Sequence, residues 1–188
     1  MSRVKGNLFI ISAPSGSGKG TVIQKLLEMK PELVFSVSAT TRAPRTGEVD
    51  GVSYNFVTRE RFDQMIKSDE FLEYAEYVGE FYGTPKGPIY NCIEAGKSIL
   101  LDIEVQGAKQ VISKMPEAVT IFIVPPDMDE LERRLRGRGT DSDDKLTARL
   151  QRARLELEKR DFYDYIVVND YVSRAAEEIL SIIENSNC

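Results

Sequence analysis

The chain has 188 residues, 41% of them hydrophobic and 29% charged, with a formal net charge of −5. That length suits one α/β core with room for a lid or an insertion, and the composition is that of a globular chain rather than a disordered or fibrous one. Histidine is absent, which excludes Ser-His-Asp and Cys-His nucleophile systems, His-ligated zinc and imidazole acid–base chemistry.

Leu8–Ser12 reads as a short apolar strand and Thr21–Glu28 as a helix that stops before Pro31. Between them runs Ala13-Pro14-Ser15-Gly16-Ser17-Gly18-Lys19-Gly20-Thr21, a glycine-rich turn that follows a strand and opens a helix. Gly16 and Gly18 let successive backbone N–H groups converge on an anion, the helix start adds partial positive charge, and Lys19 can reach the β- and γ-phosphates of a nucleotide. Two positions depart from the general phosphate-loop pattern. Ala13 stands where the first glycine is usual, and Gly20 stands where a metal-ligating hydroxyl is usual, which leaves Thr21, one place later, as the candidate hydroxyl for a metal.

Val34–Ser38 is expected to be the next strand. It leads into Thr40-Thr41-Arg42-Ala43-Pro44-Arg45-Thr46-Gly47-Glu48, a loop with two guanidinium groups three residues apart, followed by Tyr54. Such a loop can present both forks to one phosphate, with a phenol as a further donor. Tyr54–Val57 and Phe71–Val78 have strand character, with a helix at Arg59–Lys67 between them. Because polar and aromatic residues alternate from Tyr54 to Tyr82, this stretch reads as a half-exposed, mixed or antiparallel insertion.

A helix at Ile89–Ala95 precedes the apolar strand Ile99–Ile103, whose end carries Asp102 and Glu104 at i and i+2, on the same side of the strand. Asp102 is therefore the candidate acid for organising Mg²⁺ through water; the alternative is an acid that merely caps the strand in solvent. Helices are expected at Val105–Met115, Met128–Arg136, Lys145–Lys159 and Arg174–Glu184, and strands at Thr120–Val124 and Tyr165–Val168. The strands at Leu8, Ile99, Thr120 and Tyr165 are continuous in apolar character. Separated as they are by helices, they predict a parallel sheet covered on both faces.

Residues 137–144, Gly-Arg-Gly-Thr-Asp-Ser-Asp-Asp, lack an apolar anchor and read as a mobile loop. Residues 133–160 hold ten Lys or Arg against five acids, a local +5 in an acidic chain. Leu146, Leu150, Ala153 and Leu157 form one helical stripe, with Arg149, Glu156 and Arg160 along its flank and Arg154, Glu158 and Lys159 on a solvated face. Cys92 and Cys188 form no CxxC pair, and no secretory leader precedes Leu8, so the expected compartment is the reducing cytoplasm. The longest apolar stretches fall well short of the roughly 20 residues that cross a bilayer, and the acidic balance argues against a nucleic-acid coat.

The strings SAPSGSGKGT, FSVSATTRAPRTGEVDGVSYNF, EFLEYAEYVGEFYGTP, LDIEVQGA, LRGRGTDS and IVVND resemble, in order and spacing, those of the guanylate kinases, from Leu8 to the last helix. The resemblance implies an α/β fold of the P-loop NTPase type: a parallel-sheet core at about 1–35, 96–136 and 160–188, an inserted mixed-β GMP-binding subdomain at about 36–90 and an Arg-rich lid at about 137–150. It implies transfer of a phosphoryl group from ATP, with Mg²⁺, to GMP, giving ADP and GDP. By position, residues Ala13 to Thr21 would bind ATP together with Arg134 and Arg138. Arg42, Arg45, Tyr54 and Tyr82 would hold the GMP phosphate, and Ser38, Glu73, Thr84 and Glu104 would line the guanine, Glu104 standing where the family usually has Asp. Lys19, Arg42, Arg138 and Arg149 would act on the transferred group. The expected partners are these two small molecules, without nucleic acid or membrane; a homo-oligomer is compatible with the sequence. The rival readings are a related kinase with another acceptor and a non-catalytic module that binds phosphopeptides.

Overall fold

The structure, a computed structural model, describes residues 6–77, 79–137 and 143–186. One sheet has five strands in the order β2-β7-β1-β8-β9, namely Val34–Phe35, Ile99–Asp102, Leu8–Ser12, Val119–Val124 and Tyr165–Val168. The pairs β1–β8, β2–β7 and β8–β9 are parallel. A second, mixed sheet has the order β4-β3-β6-β5, from Asn55–Phe56, Ala39–Thr40, Glu80–Pro85 and Phe71–Tyr77. There β3 pairs in parallel with β4, while β6 is antiparallel to both of its neighbours. The helices are α1 (Lys19–Met29), α2 (Arg59–Lys67), α3 (Lys86–Glu94), α4 (Val105–Lys114), α5 (Met128–Gly137), α6 (Asp143–Leu157) and α7 (Val172–Ser186). Among the described residues no helix is long and apolar enough to cross a membrane.

The chain forms two compact units. Among the described residues the first comprises 6–8, 34–101 and 106–118, and the second 9–33, 102–105 and 119–186. In the first, Ala39, Phe62, Met65 and Phe71 make a buried cluster against which Val57, Ile66 and Phe81 pack. Helix α2 supplies Phe62 and Met65, and its start is fixed by the Thr58 hydroxyl, which accepts the Arg61 N–H. In the second, Leu131 and Leu135 of α5 meet Leu146 and Ala153 of α6, with Leu150 alongside, so most of the anticipated stripe is a core seam.

Several sequence expectations change. Of the strand expected at Val34–Ser38 only Val34–Phe35 forms, in the parallel sheet; Ser36–Ser38 belong to no strand, and Ala39–Thr40, beyond the expected range, joins the mixed sheet. Tyr165–Val168 is not covered on both sides, because β9 closes the sheet as an edge and only Val167 is buried. The loop expected at 137–144 is helical at both ends, with Gly137 closing α5 and Asp143 opening α6; residues 138–142 lie outside the described residues. Glu156, expected on the flank, is buried. Strand β6 escaped separate notice because Gly83 and Pro85 interrupt its apolar pattern.

Phe62 is fully buried, its ring 4.5 Å from that of Phe71 and 5.7 Å from that of Phe81. Phe62→Ala removes the centre of this cluster and should cost about 3–5 kcal/mol of unfolding free energy, read by urea denaturation. A loss below about 1 kcal/mol would show that the cluster is not what holds the mixed sheet to α2.

Candidate functional site

Two groups of polar residues stand out, one in each unit. In the second unit the fully buried strand β1 delivers the chain into the glycine-rich turn. Gly18, at φ 82°, is the residue before α1, and no side chain caps the helix start and no acid lies in its first turn. The Thr21 and Val22 N–H groups bond to the Gly18 carbonyl, and the partial positive charge of the helix start faces no acid of its own first turn. Both turn glycines are required: Gly16 has φ 94°, and a Cβ on it would meet Leu131 and Leu135 at 2.8–2.9 Å, while a Cβ on Gly18 would lie 2.5 Å from Asn169 Nδ2. Among the described residues nothing lies within 4 Å of a Cβ placed on Gly20, and Thr21 is exposed on the helix.

The turn is braced from behind. The Ser17 carbonyl accepts from Asn169 Nδ2 at 2.6 Å and from Arg134 Nη1 at 3.2 Å, and Arg134 also donates to the Asn169 carbonyl at 2.9 Å and to Glu130 at 2.6 Å. Arg133 and Arg134 hold the Glu130 carboxyl well below its usual range, at about 2. The Ser17 hydroxyl and Asn169 Oδ1 are buried with no hydrogen-bond partner among the described residues, polar atoms that a ligand or water would satisfy.

In front, Lys19 Nζ lies 2.5 Å from Asp102 Oδ1 and 4.0 Å from Glu104 Oε1. The Ser12 hydroxyl donates to the Ile103 carbonyl at 2.7 Å, which ties the end of β1 to the residue between these acids. Burial pushes the Tyr163 phenol up, with Ser12 and Lys19 among its surroundings. Arg149 donates to the Ser15 hydroxyl at 2.8 Å, so α6 places one of the anticipated arginines on the turn. Arg138 lies outside the described residues.

In the first unit the arginine loop is organised around an acid to which the sequence reading gave no role. Glu48 takes both arms of Arg42, at 2.8 and 2.9 Å, and the Arg45 N–H at 2.7 Å. The paired guanidinium holds the Glu48 carboxyl at about 2 and raises Arg42 in turn. Arg42 also stacks on the rings of Tyr54 and Phe56, at 5.4 and 5.8 Å, and Tyr82 meets Tyr54 edge-on at 6.0 Å. Arg42, Tyr54 and Tyr82 are thus together, while Arg45 is exposed. The signal for Glu48 was available: an acid six residues after an arginine, across a Pro44 and Gly47 turn.

Glu73 is the opposite kind of carboxylate. It is 5% exposed, and its Oε1 accepts from the hydroxyl of fully buried Thr84 at 2.5 Å across the β5–β6 register. Burial pushes it up to about 7, with Thr84 and Lys114 opposing. Ser38 is half-buried between β2 and β3, its carbonyl accepting from Asn55 N–H at 2.9 Å. A buried carboxylate with a hydroxyl beside it presents acceptors to the donor edge of a planar heterocycle.

A family model described as guanylate kinase matches residues 5–186. A guanylate kinase of Desulfitobacterium hafniense (strain Y51) is 48% identical over 188 residues, covering 100% of this chain and 94% of that protein. One of Oceanobacillus iheyensis is 49% identical over 187 residues, covering 100% and 91%. The crystal structure of guanylate kinase from Anaplasma phagocytophilum superposes with a TM-score of 0.82 at 37% identity, covering 98% of this chain and 88% of that one.

The raised Glu73 carboxyl makes a prediction about folding alone. In the folded protein this group keeps its proton to about pH 7, against 4.5 as its reference value. Its stabilising contribution is therefore complete below the reference value and is lost as pH rises through the folded one. Unfolding free energy should fall by roughly 3 kcal/mol across that window, and Glu73→Gln should remove most of the fall. An unchanged slope in the variant would mean that the carboxyl is not held protonated.

Proposed function

The chain belongs to the guanylate kinase family, and from that membership we propose that it transfers the γ-phosphoryl group of ATP to GMP, giving ADP and GDP. The observation that carries the choice of acceptor is the buried Glu73–Thr84 pair. Guanine offers donors at N1 and N2 and an acceptor at O6, so an ionised Glu73 can take the donors while a hydroxyl, Thr84 or Ser38, gives to O6. Adenine reverses this pattern and would leave the carboxylate unpaired.

The phosphate of the acceptor falls to Arg42, Arg45, Tyr54 and Tyr82, with a bidentate fork already shaped on Glu48. The triphosphate falls to the uncapped start of α1 and to Lys19, with Arg149 contributing from α6 and Arg138 joining it as the family pattern implies. The donor set suits a hydrated ion: Asp102 and Glu104 are hard oxygen ligands close to Lys19, and no group of three or more metal-binding side chains occurs among the described residues. Magnesium brought in with ATP would neutralise charge on the β- and γ-oxygens, with Asp102 holding its waters.

The chemistry asks little of proton transfer. An acceptor phosphate oxygen, already ionised at neutral pH, forms the new P–O bond as the bond between the β–γ bridging oxygen and the γ-phosphorus breaks. No general base is required, in keeping with a chain without histidine. Lys19 and the arginines act by position and charge. Asp102 holds Lys19 in the free protein, so triphosphate binding exchanges a carboxylate for phosphate oxygens around the ammonium.

An ADP-release assay with magnesium-ATP and GMP, AMP, CMP, UMP or a sugar phosphate tests the reading. GMP should exceed AMP in kcat/KM by on the order of 10⁴-fold, and comparable turnover of AMP would overturn the acceptor assignment. Lys19→Ala should lower kcat by roughly 10²-fold or more with the far-ultraviolet spectrum unchanged.

A further inference from the structure

We propose that one face of helix α4, formed by Gly107, Gln110 and Lys114, is a positioning device that holds the Glu73 carboxylate in place for purine selection. This rests on the reading of Glu73 given above. Strand β5 is the edge of the mixed sheet, so the outward backbone groups of Leu72 and Tyr74 lack a neighbouring strand. Helix α4 supplies the missing partners from side chains. Gln110 donates from Nε2 to the Tyr74 carbonyl at 2.9 Å and accepts the Tyr74 N–H on Oε1 at 3.4 Å, so that one side-chain amide serves both groups of that residue. Lys114 Nζ donates to the Leu72 carbonyl at 2.5 Å. The two residues flanking Glu73 are thereby pinned by the same helix.

Gly107 completes the stripe, three residues before Gln110 and seven before Lys114, positions that share one helical face. A Cβ there would lie 2.5 Å from Glu73 Oε2 and 3.0 Å from Glu73 Cδ. The carboxylate therefore rests on bare helix backbone, with Oε1 on the Thr84 hydroxyl and Oε2 against Gly107. A register shift between Phe71 and Glu73 makes this hold necessary, because a bulged edge strand does not fix its own side-chain direction. The charged and polar groups bearing on Glu73 are the Thr84 hydroxyl and amide from β6 and the Lys114 ammonium from α4, all favouring the ionised form against burial. Helix α4 thus acts on Glu73 in two ways: Gly107 and Gln110 set where the carboxylate lies, and Lys114 helps to keep it charged.

Two variants test this in the full-length enzyme. Alanine is the better helix former, but its Cβ would press on the buried Glu73 carboxyl, so a cooperative urea transition is the check that Gly107→Ala still folds. The folded variant should lose about 10²-fold in kcat/KM for GMP, with KM for ATP unchanged and the preference for GMP over AMP reduced. Lys114→Met should move the acid limb of the kcat/KM profile for GMP to higher pH, and Lys114→Arg should restore it. The proposal is overturned if Gly107→Ala loses ATP and GMP recognition equally or loses neither, or if the acid limb does not move in Lys114→Met. Should the parent enzyme transfer nothing to GMP, the functional reading fails by itself. The hold on Glu73 is then still judged without turnover, because Lys114→Met must extend the pH-dependent fall in unfolding free energy to higher pH, and an unshifted curve rejects it.

Discussion

Among the described residues the first turn of α1 has neither a capping side chain nor an acidic residue, and the glycine-rich turn before it is held by contacts from distant parts of the second unit. Backbone amides left without partners are costly, and a turn built on two left-handed glycines is intrinsically loose. Rigidity comes from behind the turn, where the single Ser17 carbonyl takes both Asn169 and Arg134, and from the side, where Arg149 reaches the Ser15 hydroxyl. The Leu131 and Leu135 side chains press against Gly16. These contacts belong to α5, α6 and the residue after β9, elements distant in sequence that converge on six residues of loop. A cradle fixed before its ligand arrives has less to reorganise in the transition state.

The first unit shows the same economy with two carboxylates in opposite environments. Glu48 lies against a guanidinium and is held at about 2; Glu73, with the Thr84 hydroxyl and amide and the Lys114 ammonium opposing, is lifted by burial to about 7. The first is a permanent anion that shapes an arginine for bidentate work. The second is a carboxylate whose ionised form lacks sufficient partners in the free protein. Environment rather than residue type separates an acid that stays ionised beside a guanidinium from one that burial pushes towards its protonated form.

Much of this was legible in the chain. The glycine turn between a strand and a helix, the paired arginines before Tyr54 and the two acids closing an apolar strand are local patterns, and local patterns carry their chemistry in their spacing. What stayed hidden was non-local. Nothing near Asn169 in sequence points to the Ser17 carbonyl, and nothing near Arg134 says that three of its contacts brace a loop and a helix. The end of the Val34–Ser38 run could not be set by pattern, because Ser36–Ser38 look as strand-like in sequence as Val34–Phe35 yet lie between β2 and β3 and belong to neither. Tyr165–Val168 reads as a buried strand by composition, yet its position at the end of a strand order leaves one side open. Gly107 sits inside a helix, and only the fold sets the Glu73 carboxylate against it.

Because the reacting oxygen of the acceptor is already charged, the protein has no base to tune and little covalent work to do. Discrimination must then come from groups that are better satisfied with the right ligand than without it. A carboxylate lifted to about 7 by burial meets that requirement. On the proposed reading, two N–H donors opposite it would favour its ionised form, and guanine binding would release that proton. Opposite a ring nitrogen acceptor an ionised Glu73 would gain no partner. On that same reading the burial of Glu73 would contribute to selectivity, since a carboxylate already well solvated would gain far less from the purine that suits it.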